Sequence, residues 1–194
     1  MHSSALRRAV TTVALANLGY FGVEFAVALS IGSVSLFADS VDFLEDASVN
    51  LLILMALGWS ARSRARVGMA LAAILLAPAI ATIWTAWQKF TVPVAPEPVA
   101  LSLTGLGALV VNLSCALLLA RFRHDGGSLT KAAFLSARND AIANIAIVGA
   151  GLITAFFWRS AWPDLIVGVG IAIINADAAR EVWTAARDEH RAAA

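Results

Sequence analysis

Leu36-Phe37-Ala38-Asp39-Ser40-Val41-Asp42-Phe43-Leu44-Glu45-Asp46 opens an otherwise apolar run that continues to about Trp59. The run is long enough to cross a bilayer, whose hydrocarbon core takes roughly 20 residues of helix. A carboxylate near the centre of a membrane helix costs roughly 2.5–3.5 kcal/mol on insertion scales. Four in one span insert well only when they face a partner, a cavity or a cation. The stretch therefore points to a membrane helix whose polar side faces an interior that handles ions.

Five more apolar runs surround this one. Together they cover about 9–30, 36–59, 67–90, 99–121, 132–157 and 162–184, and each is read as a spanning helix. The connectors are short: Ser30–Ser35 is rich in Gly and Ser, Thr91–Pro98 holds three of the five prolines, and Arg159–Pro163 is a tight turn. Pro78 falls inside the third run, where it kinks a helix without ending it. Composition agrees, with 60% hydrophobic and 14% charged residues against about 25% charged in soluble domains. The formal net charge of +1 offers no broad basic surface for nucleic acid. Cys115 is the single cysteine, which excludes an internal disulfide and a thiolate metal cluster; it reads as a small buried hydrophobe. Arg7 and Arg8 before an apolar stretch resemble the start of a signal peptide, but Glu24 interrupts that stretch and no cleavage pattern follows, so it reads as a retained first span.

Positive charge sorts to one side. Arg7 and Arg8, then Arg62, Arg64 and Arg66, then Arg121, Arg123 and Lys131, then Arg187 and Arg191 alternate with connectors holding only Arg159, with Lys89 close by. By the positive-inside rule both termini are cytoplasmic, which fits an even count of spans in a cell membrane. The expected architecture is an all-α integral membrane fold of six transmembrane helices. It occupies residues 1–186, with a short polar cytoplasmic tail over 187–194 and no C-terminal soluble domain. The two halves echo one another. Asn17-Leu18 is followed by Asp46-Ala47-Ser48-Val49-Asn50, and Asn112-Leu113 by Asp140-Ala141-Ile142-Ala143-Asn144, at nearly equal separations. With three spans in each half the second copy is inverted, an arrangement used by many secondary transporters.

Residues three and four apart share a helix face. Asp39, Asp42 and Asp46 form one stripe with Glu45 on its flank; Ser136, Asp140 and Asn144 form a second stripe of oxygen donors. At 1.5 Å per residue, Asp46 lies roughly 15 Å from the outer end of its run and Asp140 roughly 12 Å from the inner end of its own. Both fall near mid-membrane. Three carboxylates, Asp42, Asp46 and Asp140, with a hydroxyl or amide oxygen suit a divalent cation. Burial and like charge both disfavour ionised carboxylates, and a metal needs deprotonated ligands, so protons and cation compete for one place. Alternating exposure of such a site is proton-coupled antiport.

The stretch Ser35–Asp46 resembles the second span of cation diffusion facilitator transporters. The resemblance extends to Asn17, Asn112, Asp140 and Asn144, and to Pro163-Asp164 with Gly168, and so covers about residues 12–184. It implies a membrane domain that exports divalent cations, zinc-like or among Mn, Fe, Co and Cd, in exchange for protons. In this family a four-ligand site joins an acid or His and an Asp, four apart, on span two to the same pair on span five. Asp42, Asp46 and Asp140 match three of its positions. Ser136 stands at the fourth, where family members usually have His or Asp, and all-oxygen donor sets lean toward harder ions than zinc. His2, His124 and His190 lie in polar ends or loops and supply no ligand from within a span. The His-rich loop and the C-terminal domain through which relatives dimerise are not seen in the sequence.

The metal-contacting set read from the sequence is thus Asp42, Asp46, Asp140 and Ser136, with Asp39, Asn144 and Glu45 as secondary contacts. The metal is the transported substrate, and no permanent cofactor is expected. Expected partners are divalent cations, protons, the bilayer and a second copy of the chain. Plainer roles compete at each position. Asp39 also suits helix capping or a vestibule, and Glu24 and Glu45 suit ion pairing with Arg138 or a proton relay. Asn17, Asn50, Asn112 and Asn144 suit bridging between helices. The tryptophans suit interfacial anchoring. Two other functions compete with transport of metal: a non-transporting scaffold or regulatory subunit, and a proton-coupled small-solute carrier. No nucleophile–base pair or cofactor fingerprint suggests an enzyme.

Overall fold

The computed structural model describes residues 2–56, 80–122 and 127–174. These form six helical segments, each lying on one of the apolar runs: α1 (His2–Ile31), α2 (Val34–Ala56), α3 (80–91), α4 (Pro98–Ala120), α5 (Gly127–Phe156) and α6 (Trp162–Ile174). No strand occurs among the described residues. Pro78, Arg62, Arg64, Arg66, His124, the end of the sixth run and the tail at 187–194 lie outside them.

Ser4–Ile31, Pro98–Ala120 and Ser136–Phe156 are long and apolar enough to cross a membrane. At 23 residues α2 is as long as α4, about 34 Å at 1.5 Å per residue, but its four carboxylates set it apart by composition. α1 packs on α2 and α4, α4 on α5, and α5 on α2. Two apolar clusters hold these contacts. One gathers Val10, Val13, Cys115, Ala116 and Leu119; the other gathers Ala28, Leu36, Phe37, Leu101, Ile147 and Ile171.

The distribution of polarity is the reverse of a water-soluble bundle. Asn17, Glu24, Asp39, Asn144 and Asp164 have no exposure, whereas Leu103 is 64% and Ile173 65% exposed. Trp84, Trp87, Trp158 and Trp162 also show large exposed faces. Apolar side chains turned outward around a polar interior suit hydrocarbon as the solvent. The outer and inner faces, which an all-apolar helix sequence does not separate, are separated here by the third dimension.

The junction of α1 and α2 is built from a short local code and one distant residue. Gly32 adopts φ +62, the left-handed conformation that side chains resist, and the Ser33 N–H reaches back to the Ala28 carbonyl at 3.0 Å. This closes α1 as a Schellman motif. Ser33 then caps α2, its hydroxyl accepting from Leu36 N at 3.1 Å. The next two donors go to Asp164 at the start of α6: Val34 N at 2.9 Å and Ser35 N at 3.2 Å. All the orphan donors of the first turn of α2 are therefore satisfied.

Gly168 lets α6 approach this cap. A Cβ there meets Ser35 N and the Val34 carbonyl carbon, both backbone, at 2.7 Å. Gly168→Ala is expected to lower stability by about 1–3 kcal/mol, the usual range for overpacking a tight contact. Thermal unfolding of the purified variant in detergent checks this, and an unchanged midpoint contradicts the packing described.

Candidate functional site

Every helix that carries an acid or an amide of the two stripes sends it inward. On α2, Asp39, Asp42 and Asp46 are buried, and Glu45 on the flank is half-buried. On α5, Asn144 is fully buried, while Ser136 and Asp140 are partly so. The faces meet. The Ser136 hydroxyl donates to Asp46 Oδ1 at 2.9 Å across the α2–α5 contact. Ser136 also lies beside Asp140, and Asp140 in turn is an electrostatic neighbour of Asp46 and Asp42. Asp42 and Asp140 open together onto a cleft of about 450 Å³, walled by Asn139, Val167, Gly170 and Ile171 from α5 and α6.

The amides complete two relays between helices. Cys115 on α4 donates weakly to Asn17 Oδ1 on α1 at 3.6 Å, and Asn17 Nδ2 donates to Asp46 Oδ2 at 3.4 Å. Asn112 on α4 donates to Asn144 Oδ1 at 3.0 Å, and Asn144 Nδ2 donates to Asp39 Oδ2. Asn17, Asn112 and Asn144 thus bridge helices, whereas Asn50 bonds within its own helix, to the Asp46 carbonyl at 2.7 Å. Such amides fix which carboxylate oxygen faces which way. In the two halves of the sequence echo the contacts differ: Asn17 meets Asp46, but Asn112 meets Asn144 rather than Asp140.

Among the described residues, no three of His, Cys, Asp and Glu stand close enough to enclose a metal ion in this conformation. Asp46 has both oxygens bonded to donors, while Asp42 and Asp140 face the cleft. The expected pairing of Glu24 with Arg138 is not formed. Glu24 is fully buried with no hydrogen-bond partner, and Arg138 is exposed and donates to Asn139 Oδ1 at 3.3 Å.

The family model of the cation efflux transmembrane domain matches residues 10–188. The chain belongs to the cation efflux family. Its members are cation diffusion facilitators, and transport of metal cations across a membrane is the activity that the family carries. No match was found among curated proteins.

Asp164 is the residue whose role was least visible beforehand. Beyond the two α2 amides, it accepts from the Ser33 hydroxyl at 2.7 Å and the Ser35 hydroxyl at 2.6 Å. Lys89, at the end of α3, is an electrostatic neighbour of Asp164 and donates to the Gly32 carbonyl. Gly32-Ser33 is a legible stop-and-start signal between helices. Nothing local announces a partner 131 residues away.

Proposed function

We propose that this cation efflux domain is a secondary active transporter. It exports a divalent cation through a site shared by Asp42, Asp46 and Ser136–Asp140, in exchange for protons. The observation that carries the reading is the Ser136–Asp46 bond, which brings the donor stripes of α2 and α5 together beside the cleft opened by Asp42 and Asp140. The Ser136 hydroxyl, a donor here, offers lone pairs to a cation on rotating about its Cα–Cβ bond. A cation that enters must displace protons from the same oxygens, and this competition couples the two fluxes. Asp39, Asn144 and Glu45 shape the approach. The donors are all oxygen, so Mn²⁺ and other hard ions are favoured over Zn²⁺.

Arg8 and Arg121 line one cleft of about 570 Å³ at the start of α1 and the end of α4. Basic residues gathered at one end support a cytoplasmic face there, with both termini inside a cell membrane. At the other end Lys89 is spent on the Gly32 carbonyl and Asp164, so it adds little free positive charge.

Proteoliposomes with an imposed pH gradient test this reading. Metal uptake is expected against a panel of divalent ions, with collapse of the flux when an ionophore dissipates the gradient. Flux of Mn²⁺ that ignores the gradient contradicts proton exchange. A scaffold reading draws on one observation, the full hydrogen bonding of Asp46. Calorimetry separates the two, because a scaffold binds no divalent ion at millimolar concentration. Proton-driven solute uptake indifferent to chelators, in place of metal flux, would favour a small-solute carrier.

A further inference from the structure

Glu24 projects from α1 into the bundle with no exposure, and neither of its carboxylate oxygens meets a donor. Across from it on α2 is Asp39, also without exposure, its carboxylate within hydrogen-bonding reach of that of Glu24 when one of the two carries a proton. Asp39 Oδ2 is taken by the Asn144 amide, and Oδ1 is unpartnered. Tyr20 stands near both acids, but its hydroxyl is spent on the Thr104 carbonyl at 2.7 Å. Three buried oxygens on two adjoining carboxylates, one acid from each helix, thus receive no hydrogen bond from the surrounding side chains or backbone. An uncompensated carboxylate away from water costs several kcal/mol, and two side by side cost more. A proton shared by the pair or a bound cation relieves that cost.

We propose that Glu24 and Asp39 form a second cation-binding station that takes a divalent ion through carboxylate oxygens. Asp39 precedes Asp46 by seven residues, roughly 10 Å along the helix axis. The station therefore lies between the Asp42–Asp46–Asp140 group and the end of the bundle closed by Lys89 and Asp164. A cation moving along α2 reaches it as a separate stop. Oxygen donors so few in number suit an ion that keeps part of its water shell, as Mn²⁺ and Mg²⁺ do. The station does not depend on the Asp46 site, since it shares no unpartnered oxygen with it.

Mn²⁺ titration of the purified full chain, counting free ion by electron paramagnetic resonance, tests the station. The wild type is expected to bind two Mn²⁺, Glu24→Gln one, Asp46→Asn one, and the double variant none. Asp39→Asn loses the same ion as Glu24→Gln and serves if that variant does not fold. Binding by Glu24→Gln and Asp39→Asn equal to wild type in number and affinity overturns the station, as does a wild type that binds no Mn²⁺. Loss of the only bound ion in Glu24→Gln but not in Asp46→Asn upholds the station and removes the Asp46 site. The opposite pattern keeps the Asp46 site and removes the station; an acid pair occupied by a proton alone gives that second result.

Discussion

Asp46→Asn is expected to fold as the wild type does and to lose metal flux in proteoliposomes. The asparagine carbonyl still accepts from Ser136, so the α2–α5 link at 2.9 Å is kept while the charge is removed; its amide replaces the oxygen that accepts from Asn17, a neutral hydrogen bond whose loss is small beside that of the charge. Even groups that only support a metal ligand cost 10–100-fold in affinity or activity when changed, so loss of a charged ligand is expected to cost about 100-fold or more. Asp46→Ala loses the bridges to both Ser136 and Asn17, and its effect combines function with stability. Asp140→Ala removes an acid from the cleft without breaking either amide relay, and the same loss of flux is expected. Flux within a few-fold of wild type in Asp46→Asn or Asp140→Ala, measured with equal protein in the vesicles, speaks against a shared cation site.

The second large effect concerns Asp164, which never approaches that site. Its carboxylate accepts from Val34 N, Ser35 N and the hydroxyls of Ser33 and Ser35, all of them buried. An anion at the N-terminus of α2 also complements the positive end of the helix dipole. Asp164→Ala leaves the two amides without an acceptor, the serine hydroxyls with only each other at 3.3 Å, and Lys89 without its nearby counter-charge. A loss on the order of 3–5 kcal/mol is expected. For a chain of this length that lowers the thermal midpoint in detergent by about 10 °C. Asp164→Asn, which keeps one acceptor oxygen and turns an amide toward donors, is expected to fall between the two. A midpoint within a degree of wild type in Asp164→Ala contradicts the capping account.

These two residues mark how far the sequence could be read. Asp46 was legible because a carboxylate in an apolar run has no inexpensive place except an interior, and a three-and-four spacing puts it on one face with Asp39 and Asp42. Ser136, Asp140 and Asn144 were legible as a matching face on α5. The pairing between faces was not legible at atomic detail: Asn144 turns to Asp39 and Ser136 to Asp46, choices made by helix packing. Asp164 enters the sequence reading only through the resemblance carried by Pro163-Asp164, with no role attached, and Lys89 only as a charge near a span end. Their roles depend on where α6 and α3 come to rest against the α1–α2 turn, which no short-range pattern encodes. Glu24 was visible as an anomaly in its run, but Arg138, its expected partner, faces outward. An outward-facing arginine and an inward-facing glutamate on separate helices look the same in one dimension.

The central claim is that carboxylates of α2 and α5 share one cation. Anomalous diffraction from crystals soaked in Mn²⁺ tests it most directly. A single metal peak within coordination distance of Asp42, Asp46 and Asp140, lost in Asp46→Asn, is the predicted result. Crystals saturated with Mn²⁺ that show no peak between these residues, with Ser136 still donating to Asp46, would contradict it.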